Sequence, residues 1–448
     1  MAKGDAQEEE EDLDEREQVL FQGPMYGRDA NLKQNPRLVQ AALVPVKRMV
    51  TDALSRRAHT VLLEPAPGKI AIRFVVDGIA YPAGAVPARQ GVGMVQMLKL
   101  LAGLDPQKRT VQQSGGIRSE YTGKAYRLLV LSTPVKGGAE RLRIRIENPK
   151  DSFIRPQDVG VPNDLRQKIR DFTSDSKGIV LACGPPDSGI TSLSLVTLHC
   201  TDPYLYSVFN LADVGEHSLV NVADYEPEEG HDLAFTLDRI SRREADLVYM
   251  PPFTDPKTTQ LLFDFSDRLC FVGEIPCRTP IEAVQTLIQW VGVDSVLKHL
   301  KGVVTHKLIR KLCDDCKQAF RPNPQLLKRL GLPPEVTVLY RAPAPPPADD
   351  PEAPTIEELC ADCNGMPYYG RIPCFEVLEM SDGMKEVVAA GADPAAMRQQ
   401  MFREDMRTLQ KDALRLVVEG KTSLEEVQRS FQGPKGRPAK KRRPRPQA

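Results

Sequence analysis

The sequence predicts an α/β protein: an N-terminal α+β domain followed by a second domain built on a mainly parallel sheet. Three observations predict it. Two β-rich runs within Val61–Tyr81 flank Pro67-Gly68, a hairpin signal. From Gly178 to Ile275, apolar strand-like runs alternate with helical stretches, the order of βαβ units. The first of these, Gly178–Cys200, passes from Ile-Val-Leu-Ala-Cys through a glycine-bounded loop into a segment long enough for a helix. At 448 residues the chain has room for two or three domains with real cores.

Composition narrows the class. With 41% hydrophobic and 27% charged residues, the chain reads as an ordinary soluble protein. It has no apolar run of about 18 residues and no N-terminal signal pattern, which predicts a cytoplasmic protein, at most peripheral to the inner face of the plasma membrane. Its 60 basic and 60 acidic residues cancel, but its ends do not. Glu8–Glu17 is acidic and Lys435–Arg445 is basic and proline-broken, so residues 1–36 and 431–448 are predicted to be disordered. The basic tail could rest on anionic lipid or nucleic acid as a sequence-independent contact; no specific nucleic acid is expected. VLFQGP at Val19–Pro24 resembles a protease-recognition sequence, and FQGP recurs at Phe431–Pro434; both are read as native.

Arg37–Arg57 spaces its apolar residues as one helical face, with Pro45 marking a helix start. Asp77-Gly78 is a second turn, a helix follows at Gly93–Gly103, and strands lie near Tyr126–Ser132 and Arg141–Glu147. This gives a first domain over 37–150. Asn163–Thr173 is amphipathic and leads into the second domain, 151–312, with further strands in Ser207–Glu216, at the end of Leu237–Pro252 and at Leu269–Ile275. Residues 313–375 hold two cysteine pairs around a proline-rich insert, RAPAPPPADDPEAP (Arg341–Pro354), expected to loop out. Residues 376–430 read as helices, with Ser423 as a late N-terminal signal.

Two motifs carry chemistry. Gly184 and Gly189 have the G-x-x-x-x-G spacing of a phosphate-binding loop, and Thr191-Ser192 supply hydroxyls at the helix start. Where such a loop carries its lysine, this chain has Ile190. Of nine cysteines, Cys183, Cys200, Cys270 and Cys277 sit in or beside apolar segments and read as core, as does Cys374. The other four, Cys313, Cys316, Cys360 and Cys363, form two CxxC knuckles, enough for a tetrahedral structural zinc site.

These blocks, from about Leu38 to Arg429, resemble the ATPases of type II secretion and type IV pilus assembly. RRAHTVLLEP, IRFVVDG, LAGLD and ERLRIRI match in order near the front. KLIRKLCDDC, CNGMPYYGRIPCFEVLEM and TLQKDALRLVVEGKTSLEEV match near the end. The resemblance implies a RecA-like P-loop NTPase core with a tetracysteine zinc subdomain and C-terminal helices. It further implies a hexameric ring, alone or with active paralogues, that works with a membrane platform protein.

The resemblance breaks at the chemistry. A family glycine is Asp187 here and the family lysine is Ile190. Pro251-Pro252 stand where the Walker B Gly-Glu should be, and Ile275 where a histidine should be. The acidic box keeps Asp213 and Glu216 but has Ala212 for its first glutamate. Of the loop, Gly184, Ser188, Gly189, Thr191 and Ser192 remain as nucleotide-binding candidates. Arg73, Arg141 and Arg242 fall on family positions that face nucleotide or a neighbouring subunit, although each also reads as a plain surface or ion-paired arginine. The lost lysine removes a charge pair worth about 4 kcal/mol at 4 Å and an effective dielectric near 20, which counts against ATP and Mg²⁺ binding. The expectation is a family member that hydrolyses ATP weakly or not at all. The alternatives are an active motor using displaced residues, with Glu274 for Mg²⁺ and Lys177 or a neighbouring subunit's arginine for phosphate, or a lipid- or nucleic-acid-binding adaptor acting through the basic tail. The Glu274 alternative requires compensating gaps in the alignment.

Overall fold

The computed structural model describes residues 18–27, 29–150, 154–186, 188–201, 204–215, 217, 219–227, 230–344 and 360–432. The chain divides into two compact units, Met1–Asp151 and Ser152–Ala448. The basic tail, Glu8–Glu17 and most of the proline-rich insert lie outside the described residues.

The first unit has strands β1 (Leu20–Pro24), β2 (Thr60–Ala66), β3 (Lys69–Val76), β4 (Ile79–Pro87), β5 (Gln113–Tyr121), β6 (Lys124–Val135) and β7 (Ala139–Glu147). Its helices are α1 (Pro36–Ser55) and α2 (Ala88–Leu101). The strands form one antiparallel sheet in the order β1-β5-β6-β7-β2-β3-β4. Period-two patterning sets its faces: Ile70, Ile72, Phe74 and Val76 of β3 are buried, while Lys69 and Arg73 are exposed. One polar group interrupts this core. Lys99, fully buried, donates from Nζ to Glu140 Oε1 at 2.6 Å and to the Lys108 carbonyl at 2.6 Å. Ser132 Oγ donates to the same carboxylate oxygen at 2.7 Å.

Two expectations are corrected here, and one strand is new. The helix runs through Pro45, which lies inside α1; its start is Pro36 at the first turn, after Asn35. The missing N–H at Pro45 removes one helical bond, but the apolar face of Ala42, Val46, Met49, Val50 and Ala53 is buried and holds the helix through it. Residues 18–36 are not outside the fold, since β1 pairs with β5 and the Val19 N–H donates to Thr51 Oγ1 at 3.0 Å. And β5, which no sequence pattern announced, contains Gly115 and Gly116. A Cβ on Gly115 would lie 2.4 Å from the Ala102 carbonyl oxygen, so close backbone approach demands the residue that weakens strand signals.

The second unit opens with α3 (Asn163–Thr173), β8 (Gly178–Cys183), α4 (Ile190–Cys200), β9 (Val208–Asn210), β10 (Val222–Asp224) and α5 (Leu233–Ser241). Then come β11 (Leu247–Tyr249), α6 (Pro256–Phe265), β12 (Cys270–Ile275), α7 (Pro280–Val291), α8 (Val293–His299) and β13 (Leu300–Leu312). Its sheet order is β10-β9-β11-β12-β8-β13-β16, where β16 is Tyr368–Glu379. All pairings are parallel except β13 with β16. All six residues of β8 are buried, Ile179, Leu181 and Cys183 in one apolar cluster and Val180 and Ala182 in another. Burial on both faces is why the strand reads as a continuous apolar run.

Between β13 and β16 lie β14 (Gln318–Phe320), α9 (Pro324–Leu330) and β15 (Leu339–Arg341). The long antiparallel pair β13/β16 starts at Leu312↔Tyr368, so the chain leaves and returns at one point. The expected helical region begins later than residue 376, because β16 continues to Glu379. The paired apolar residues Cys374-Phe375 and Val377-Leu378 mimic helical spacing there. Helices α10 (Asp382–Ala389), α11 (Pro394–Arg403), α12 (Leu409–Val418) and α13 (Leu424–Phe431) follow. Two buried carboxylates anchor α12 and α13. Asp412 accepts from the Phe375 N–H at 2.9 Å and from Arg407 and Arg415. Glu426 accepts from the Arg310 N–H at 3.1 Å, Arg310 Nε at 2.9 Å and Arg429 Nε at 2.7 Å.

Candidate functional site

The glycine-bounded loop joins β8 to α4 at the carboxyl end of an interior strand, where open α/β sheets hold their ligands. Its backbone is pinned from β13: Thr305 Oγ1 donates to the Cys183 carbonyl at 2.7 Å, and His306 Nε2 donates to the Ser188 carbonyl at 3.0 Å. Burial pushes the His306 imidazole down, opposed by that hydrogen bond, so the ring is neutral with its proton on Nε2. Neither residue was singled out from the sequence; only the β8/β13 register reveals them. Gly189, at φ +89°, begins α4 in the left-handed region, and a Cβ there would also crowd the His306 ring at 3.3 Å. A Cβ on Gly184 would stand 2.6 Å from Ser188 Oγ. Asp187 lies outside the described residues.

Ile190 packs against the apolar cluster of α3, α4 and β8. Ser192 is half-buried in the first turn, and Thr191 is exposed. Thr191 Oγ1 donates to Glu274 Oε1 at 3.3 Å. Glu274 comes from β12, which pairs directly with β8 in the register Glu274↔Ala182. Burial pushes its carboxyl up, with the Thr191 and Ser194 hydroxyls opposing. Ser188 Oγ in the loop is buried without a hydrogen-bond partner among the described residues. Beside them Ser194 Oγ and Tyr249 Oη, on α4 and β11, are 2.5 Å apart.

The other candidates are dispersed. Pro251 and Pro252 follow β11 and are exposed. The next acid, Asp255, accepts from the Thr258 N–H at 2.8 Å and caps α6. Asp213 is exposed and accepts from the Gly215 N–H at 2.9 Å; Glu216 lies outside the described residues. Arg242 ends α5, is 79% exposed and pairs with Asp238 at 2.8 Å. Arg73 and Arg141 belong to the first unit, where both face Glu64, at 3.4 and 3.7 Å. Lys177 precedes β8 whereas the loop follows it. The six-residue strand between them sets them about 20 Å apart, so Lys177 cannot serve the loop of its own chain.

The four cysteines converge as the β13/β16 hairpin requires. Their Sγ atoms lie within 4.8 Å of one another, with Cys313–Cys360 at 3.9 Å and Cys316–Cys363 at 3.7 Å. Four thiols in this grouping fit a soft, tetrahedral ion. Cys374 is buried and donates to the Lys307 carbonyl at 3.2 Å, as a core cysteine.

A family described as "Type II/IV secretion system protein" matches residues 39–429. The chain belongs to that family. Among curated proteins it is similar to a type IV pilus assembly ATPase PilB of Thermus thermophilus, 24% identical over 85% of this chain and 42% of that protein. It is similar as well to a type II secretion system ATPase E of Vibrio cholerae, 25% identical over 86% of this chain and 74% of that protein. The chain thus spans less than half the length of the Thermus relative. Among solved structures, the Legionella pneumophila ATPase DotB matches with a TM-score of 0.52 at 13% identity, covering 86% of this chain and 95% of that one. That likeness concerns the fold, which is the RecA-like arrangement expected for this family. No helix among the described residues is long and apolar enough to cross a membrane.

Proposed function

We propose that this secretion-family chain hydrolyses ATP weakly or not at all. Its role is then that of a structural or regulatory subunit of a type II secretion or type IV pilus machine. It sits in a hexamer, alone or beside active paralogues, at the cytoplasmic face of the membrane that carries the platform protein. The observation that carries the reading is Ile190: where a phosphate loop offers an ammonium, this one has a partly buried apolar side chain packed against the core cluster. The β11 end adds to it, because Pro251-Pro252 bring no carboxylate and Asp255 is committed to a helix cap. The pocket keeps its backbone shape while the charges that drive phosphoryl transfer are missing.

Zinc, held by Cys313, Cys316, Cys360 and Cys363, is proposed as a structural ion. Four protein thiolates leave no open position for catalysis. The ion would fasten the loop between β13 and β16.

Mg-ATP turnover by the purified full chain, with Ile190→Lys alongside, tests the reading. Wild type should show no motor-like turnover. The lysine should tighten binding of a labelled ATP analogue at least about tenfold, a fraction of the roughly 4 kcal/mol that one such charge pair can supply. Wild-type turnover at ordinary enzyme rates, on the order of 1 s⁻¹ or more, would refute it.

A further inference from the structure

We propose that the acidic segment Glu8–Glu17, which lies outside the described residues, docks in the groove between α1 and α2 of its own first unit. Leu13 enters the apolar pocket of that groove, and the acids on either side of it face Arg48. The docking does not depend on whether the glycine loop binds nucleotide.

The groove suits an apolar side chain carried beside negative charge. Helix α2 packs closely on α1 at Gly93, where a Cβ would stand 3.7 Å from Ala42 Cβ. The two helices with β3 and β4 leave a cavity of about 260 Å³, lined by Val44, Pro45, Met49, Ile72, Val86 and Met94. Its one charged lining residue is Arg48. An apolar cavity of ~150 Å³ accepts benzene, so a leucine side chain has room here. Val44 is 51% exposed, which leaves apolar surface open along α1.

The path of the chain leads to this groove. The Val19 N–H donates to Thr51 Oγ1 of α1 at 3.0 Å. Thr51, Arg48 and Val44 are spaced by three and four residues, so they form one stripe along the helix. From Thr51 to Val44 that stripe runs roughly 10 Å, at about 1.5 Å per residue. The residues from Val19 back to Leu13 span up to about 20 Å when extended, enough to bring Leu13 to the cavity. Charge points the same way. Residues 8–17 carry eight acids, one arginine and a single apolar residue, Leu13. Apart from the buried Lys99, α1 and α2 carry Arg37, Lys47, Arg48 and Arg89 against one acid, Asp52, which Arg56 already holds at 2.6 Å. Docked there, the segment covers the apolar groove through ionic contacts that salt weakens.

Replacing Val44 by p-benzoylphenylalanine in the full chain tests the docking. After ultraviolet irradiation and trypsin, mass spectrometry should find position 44 joined to Gly4–Arg16, the tryptic peptide that contains Leu13. Mixing isotope-labelled with unlabelled chains before irradiation should show that the adduct forms within one chain. Raising salt to about 1 M, where the screening length is about 3 Å, should lower its yield at least about threefold. Arg48→Gln should lower the yield about threefold, the scale of an exposed ion pair. Arg118→Gln, an exposed position on the sheet face away from the helices, should leave it unchanged. Should Arg48→Gln prove unstable, Asp12→Asn with Asp14→Asn takes its place with the same expected loss. The proposal is overturned by the absence of a Gly4–Arg16 adduct or by an adduct only between copies. A yield indifferent to salt or to these charge changes, or an equal loss in Arg118→Gln, overturns it as well.

Discussion

Replacing Glu426 by Gln should destabilise the second unit by about 3 kcal/mol at neutral pH, and the deficit should fade in acid. The side chain of Glu426 is 0% exposed. Burial alone would push its carboxyl up, but hydrogen bonds from Arg429 and Arg310 outweigh that and hold it at about 2, against an ordinary 4.5. At 1.36 kcal/mol per pKa unit, the gap corresponds to roughly 3 kcal/mol. The sign follows from linkage. A carboxyl depressed in the folded state stabilises fully above its unfolded value, near 4.5, and loses that stabilisation as pH falls toward 2. About 1.4 kcal/mol should be gone by pH 3.5. Trp290 provides the assay, because it is the only tryptophan and packs against the sheet of the second unit. Urea unfolding of wild type and Glu426→Gln, read by its fluorescence between pH 7 and 3.5, gives the difference directly. A difference under about 0.5 kcal/mol at pH 7, or one that does not shrink by pH 3.5, would refute the reasoning. It would mean that Arg310 finds another partner when the charge is removed.

Two further outcomes follow from other sites. Cys316→Ser should abolish stoichiometric zinc in the purified chain, measured by atomic absorption, and lower the melting temperature of the second unit, since three thiolates cannot close a structural site. Unchanged zinc content would place the metal elsewhere. Lys99→Met leaves Glu140 charged and buried without its ammonium and should cost about 3–5 kcal/mol of first-unit stability. Urea unfolding followed by circular dichroism checks it, and a cost below about 1 kcal/mol would show that Ser132 and water suffice to hold the carboxylate.

The fold was legible wherever one periodicity dominated. The segment Asn163–Thr173 is read to the residue, because a strong amphipathic stripe has clear ends. Strand β8 announced itself by being buried on both faces. What escaped notice had its cause in distant partners. Strand β1 is five residues long and contains Gly-Pro, so only its pairing with β5 makes it a strand. Pro45 misled because local propensity is overridden by a buried helix face. In the site the cysteine knuckles were legible from spacing alone. By contrast, the pins from Thr305 and His306 depend on a strand more than a hundred residues from the loop. No local pattern could encode them.

The placement of Glu274 shows how sheet order changes the meaning of a substitution. Read along the sequence, an acid in the run Val272-Gly273-Glu274-Ile275 is a Walker B phrase on the wrong strand. Read across the sheet, β12 lies between β8 and β11. The end of β11, where the family's acid belongs, is one strand spacing of about 4.8 Å farther from the loop. An acid on β12 thus needs no longer reach than the one it replaces, and it meets Thr191 directly. Pro252 and Glu274 follow or end neighbouring strands, β11 and β12, of one sheet. Loss of the lysine has no such neighbouring remedy. Lys177 stands at the far end of β8, and the remaining pins on the loop, Thr305 and a neutral His306, bring no charge.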